Sequence, residues 1–163
     1  MLRRLLSSSA LVLFASVAIA APAASVRSPD KVKEALRILA YVQADMASKL
    51  PNKAFGRLPH ENQEFQEAAP ALSDAVAGEP AEFRAQVAAL LKKSRDAANN
   101  VAEASKSNDE AKIAAAVASV DQALKSLDEL FPAELRPGPI QLGNGRRGGA
   151  PDGSANGPPK ELR

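Results

Sequence analysis

Cysteine is absent from all 163 residues. That absence excludes disulfides, thiolate metal sites, cysteine nucleophiles and lipidation of an N-terminal cysteine. Tryptophan is missing too, and aromatic residues make up only 4% of the chain. A core must therefore be built from Ala, Leu, Val and Ile, which pack closely but bury less area per residue than rings. There is one histidine, His60, and the only methionine besides the initiator is Met46. Soft-metal chemistry, which needs several such ligands, has little to draw on.

The excess of one charge sign is small in total but unevenly placed. The net charge is +2, yet residues 28–135 hold 13 Lys and Arg against 17 Asp and Glu. The basic excess lies outside, at Arg3, Arg4, Arg27, Arg136, Arg146, Arg147, Lys160 and Arg163. A mildly acidic body is a poor match for phosphate, so nucleic-acid binding by the folded part is excluded.

Long apolar runs are also scarce. The one that exists, Ala10 to Ile19, follows the basic pair Arg3-Arg4 and runs into Ala18-Ile19-Ala20. This is the layout of a secretory signal peptide over residues 1–20, too short for a comfortable membrane span. The residues that normally surround a twin-arginine pair are missing, which favours the general export route. The expectation is export to the periplasm or the extracellular space, with no integral membrane segment after leader removal.

What is present is helical periodicity. Residues 21–27 read as a short linker, and residues 29–50 as a first helix, with Ser28 as cap and Pro29 in its first turn. Its stripe is Val32, Leu36, Leu39, Val42, Met46 and Leu50. A connector over 52–59 contains the breakers Gly56 and Pro59. A second helix over 61–77 carries Phe65, Ala69, Leu72 and Val76, and Pro70 inside it should kink or split it. The third helix, over 80–105, carries Phe83, Val87, Leu90, Leu91, Ala97, Ala98 and Val101. The fourth, over 107–131, shows a Ser107/Glu110 capping box and the stripe Ile113, Val117, Val120, Leu124, Leu127 and Phe131. Four amphipathic segments with short links predict an all-α, antiparallel four-helix bundle over 28–135. From Arg136 to Arg163 the Gly/Pro/Arg composition predicts a disordered tail.

This layout resembles the cytochrome c-prime superfamily: an export leader, Ser28-Pro29-Asp30 opening helix one, and a Pro/Gly-containing link before helix two. FQEAAPAL at 65–72 and SNDEAKIAAAVASVDQALKSLDELF at 107–131 resemble that family's second and last helices. The resemblance implies a bundle whose last helix bears a Cys-x-x-Cys-His haem motif. On this chain the cysteine positions fall on Leu124 and Leu127, the axial histidine on Asp128, and the following aromatic on Phe131. It also implies a homodimer through helices one and two. With the haem-bonding residues replaced, the family's cofactor, electron transfer and gas binding are not expected to carry over. The related b-type bundles, which use a Met on helix one and a His on helix four, would offer Met46 but find no histidine on the last helix.

The remaining chemistry-bearing residues are few. His60, Glu61 and Glu64, with Asp45 as a fourth, are the weak candidates for a metal; one His with scattered carboxylates falls short of a tight transition-metal set. Met46 reads as a core gap-filler and Tyr41 as a boundary residue. Asp121, Asp128 and Glu129 could divide acid and base duties, but their expected place is the solvated face. No Ser-His-Asp order, phosphate loop or His-Glu-x-x-His pattern occurs. The expectation is no enzyme, no cofactor and no metal. What remains is an exported bundle that binds a protein or envelope component, with a haem or metal carrier as the alternative. A periplasmic chaperone is disfavoured by the absence of paired Leu-Thr-x-x-Gln motifs.

Overall fold

The computed structural model describes residues 26–142. Four helices fill most of that span: α1 (Pro29–Ser48), α2 (Leu58–Ala75), α3 (Ala81–Ser105) and α4 (Glu110–Asp128). Each packs against its neighbours in sequence, and α4 closes the ring against α1 through the lightest of the four seams. The result is an antiparallel four-helix bundle, with no strand among the described residues.

The stripes read from the sequence form its core. Val32, Leu36, Leu39, Val42 and Met46 of α1 meet Phe65, Ala69 and Leu72 of α2 in one continuous cluster. Val87, Leu91, Ala98 and Val101 of α3 and Ile113, Val117, Val120, Leu124 and Leu127 of α4 complete it. Burial of each such Val or Leu side chain contributes about 1.5–3 kcal/mol. Phe83 and Leu90 only reach the edge of this cluster.

Several boundaries differ from expectation, each for a local reason. α1 stops at Ser48, and Ser28 makes no side-chain cap; its carbonyl instead accepts the Val32 N–H at 3.1 Å. α2 begins at Leu58, three residues earlier than expected, after a 3-10 turn at Phe55–Arg57. Pro59 lies in its first turn, where a missing N–H costs nothing. α2 then runs unbroken through Pro70. Pro70 is exposed, so its ring packs into no neighbouring helix, though it leaves the Gln66 carbonyl without its helical partner.

At the start of α4 the expected capping box does not form. Asn108 takes a left-handed backbone (φ 52°), which shifts the cap to Asp109. Asp109 Oδ1 accepts the Lys112 N–H at 3.1 Å, while Ser107 Oγ turns back to the Ala104 carbonyl at 2.7 Å. α4 ends at Asp128, and the chain bends through a 3-10 turn at Ala133–Leu135 against α1.

The folded unit also starts earlier than residue 28. Val26 packs against the core, and the Arg27 N–H donates to Glu79 Oε1 at 2.6 Å. Residues 136–142 hold no helix or strand. The expected leader over 1–20 and the rest of the expected tail, 143–163, lie outside the described residues. No helix among the described residues is long and apolar enough to cross a membrane.

Candidate functional site

The haem-motif positions sit on the inward face of α4. Leu124 and Leu127 are both buried within the aliphatic cluster, and Phe131 is fully buried beside them. These residues do not fit a covalently held haem. Neither leucine offers sulfur, and Asp128 offers a carboxylate where an imidazole would be needed. Met46 is likewise fully buried, with no histidine on α4 to face it.

Asp128 is half-buried rather than solvated. Burial pushes its carboxyl up to about 6, against a smaller opposing pull from Arg136. Its proposed companions do not join it. Asp121 pairs at the surface with Lys125 Nζ at 2.7 Å, and Glu129 stands exposed. The three carboxylates therefore form no shared site.

The metal candidates divide in the same way. His60 is exposed and its Nε2 lies 3.2 Å from Glu64 Oε1 on the next turn. Glu61 points the other way, into the seam with α1, and its side chain is only 5% exposed. Among the described residues no three His, Asp or Glu side chains are placed to hold one ion.

The inward turn of Glu61 builds a polar cluster with the end of α1. Lys49 Nζ reaches Asp45 Oδ1 at 2.6 Å and Glu61 Oε1 at 3.4 Å. Ser48 Oγ donates to the same Asp45 Oδ1 at 3.0 Å. Burial raises Glu61 above the ordinary carboxylate range, and the nearby Asp45 charge pushes it further. Burial also works against ionised Asp45, but hydrogen bonds from Lys49, Ser48 and Glu61 outweigh it and hold its carboxyl low. Lys49 is held above its ordinary value, since its two carboxylate partners overcome the cost of burial. These groups floor a cleft of about 470 Å³ whose walls include Tyr41, Arg57, His60 and Glu64. Two carboxyl groups with values driven apart can serve acid–base chemistry. Here Lys49 Nζ and Ser48 Oγ both fall on the same oxygen of Asp45.

A signal for Glu61 was present: it lies four residues before Phe65, on the apolar stripe of α2. A second polar seam had none. Gln66 Nε2 donates to the Arg95 carbonyl at 3.1 Å, and Arg95 Nε donates to Gln66 Oε1 at 2.6 Å. Asn62 Nδ2 adds a bond to Asn99 Oδ1 at 3.2 Å. These bonds tie α2 to α3 at positions that read as generic surface.

Outside the core, Ile38 and Tyr41 are the large apolar side chains that stand exposed among the described residues, 36% and 40% open. They lie one turn apart on α1. Ile38 also borders a shallow groove lined by Ala35, Ala71 and Ala75, with Asp30, Glu34 and Asp74 at its rim.

No protein-family model, curated protein or solved structure matches this chain.

Proposed function

We propose that this chain is an exported, non-catalytic helical bundle that serves as a binding module of the cell envelope. The observation that carries this reading is the closure of the interior: Leu124 and Leu127 stand buried where the resembled family would attach its cofactor. A bundle without internal chemistry acts through its outer surface. The exposed pair Ile38 and Tyr41 on α1 is the surface best suited to a protein partner, because exposed apolar groups gain most from being covered. A second copy of the chain is one such partner, as the resemblance to cytochrome c-prime proteins implies.

The test uses the full chain expressed with its leader. Cell fractionation should place it in the envelope or the medium; retention in the cytoplasm contradicts export. Cross-linking in intact cells should give a discrete adduct, with itself or with another protein. The double substitution Ile38→Asp/Tyr41→Asp should abolish that adduct while leaving the helical circular dichroism unchanged. No adduct above background, or one that survives the double substitution, contradicts the reading.

A further inference from the structure

We propose that Asp45, Lys49 and Glu61 form a pH-sensitive latch between the end of α1 and the start of α2, closed while the two carboxyl groups hold one proton between them. The geometry counts two carboxyl groups and one ammonium in a seam where Glu61 is nearly sealed from water. Two negative charges against one positive leave an uncompensated charge beside the buried Glu61 carboxyl, and one proton removes it. The placement of donors decides which group keeps the proton. Asp45 Oδ1 takes the close contact from Lys49 and shares the Ser48 hydroxyl with the Asp45 carbonyl, whereas Glu61 has only the longer contact to Lys49. Glu61 is thus the acid of the pair, with Lys49 bridging it to Asp45.

The sign follows from the two shifts. Glu61 is raised on folding, so its contribution is full below its unfolded value and is lost as pH rises through its folded value. Asp45 is lowered, so its contribution holds above its unfolded value and is lost as pH falls through its folded value. The latch is tightest in the mildly acidic window between them. The other ionisable groups around this end are Tyr41 on α1, Arg57 in the connector, and His60 and Glu64 on α2. Lys53 is taken up by Glu110 of α4 at 2.8 Å, and α3 offers the uncharged Asn99 to Asn62.

Loosening the latch frees the connector it straddles. That segment is held by Lys53 N–H to Leu50 O at 3.1 Å and Ala54 N–H to Lys49 O at 3.0 Å, and Phe55 and Leu58 are buried under it. Opening would uncover those two apolar side chains at one end of the bundle, away from Ile38.

Amide exchange on the full chain, expressed as protection factors so that intrinsic base catalysis cancels, reads this directly. Protection at Lys53 and Ala54 should fall about three- to tenfold between about pH 5 and about pH 8. Glu61→Gln, which keeps a neutral side chain there, should hold protection flat at the acidic level. Asp45→Asn, which removes the like charge, should move the midpoint to lower pH. His60→Gln should keep the wild-type profile. A flat wild-type profile, a decline that persists in Glu61→Gln, an unmoved midpoint in Asp45→Asn, or a profile abolished by His60→Gln each overturns the latch.

Discussion

The rings of Phe83 and Phe131 meet edge to face, with centroids 5.6 Å apart and planes at 87°, and so clamp the start of α3 to the segment just after α4. In a chain with so few aromatics this is the one ring pair found among the described residues. Phe131 is fully buried, so Phe131→Ala should cost about 3–5 kcal/mol in urea unfolding. Phe83 is only partly buried, and a double-mutant cycle should give a coupling of about 1 kcal/mol. No measurable coupling would mean that the contact is mere proximity.

The start of α4 makes a second prediction, because two residues compete for the capping role. Asp109→Ala removes the acceptor for the Lys112 N–H and should destabilise the bundle by about 1 kcal/mol. Ser107→Ala should cost less, since Ser107 closes the turn after α3 rather than opening α4. A larger loss at Ser107 would restore the capping box expected from the sequence.

Much of the bundle was legible in advance because its apolar stripes repeat at three and four residues, a local signal that burial reinforces. The Val32–Met46, Phe65–Leu72 and Ile113–Leu127 stripes all turn inward as read. The errors cluster where one backbone angle or one long-range contact decides. The left-handed turn at Asn108 moves a cap by two residues, and nothing in the side chains of Ser107 and Glu110 reveals it. Glu61 was grouped with His60 because they are adjacent in sequence. Yet neighbours on a helix point about 100° apart, and the crossing of α2 over α1 carries only Glu61 into the seam. The Gln66–Arg95 contact depends on the register of α2 against α3, which no periodicity encodes.

Asp128 makes a third prediction, about pH. Its carboxyl is raised from the ordinary 3.8 to about 6, mainly by burial. A raised folded value means stability that is full below the unfolded value and is lost as pH rises through about 6. Asp128→Asn should therefore be more stable than the wild type near pH 7.5, by roughly 1–2 kcal/mol after allowing for partial exposure. Below about pH 4 the two proteins should unfold alike. A constant difference at both pH values would show that Asp128 acts through packing and not through its charge.

Leu127 tests the filled interior from the side of stability. It is completely buried on α4, and Leu127→Ala should cost about 2–5 kcal/mol, with the upper end expected if the neighbouring side chains do not collapse into the gap. A loss under about 1 kcal/mol would mean that the interior beside α4 is loosely filled.

The most direct measurement is the visible spectrum of the purified protein titrated with hemin. With Leu124 and Leu127 filling the space beside α4, the spectrum should remain that of free hemin at every ratio. A Soret band that shifts and saturates at one equivalent would contradict the closed interior and restore the electron-carrier reading.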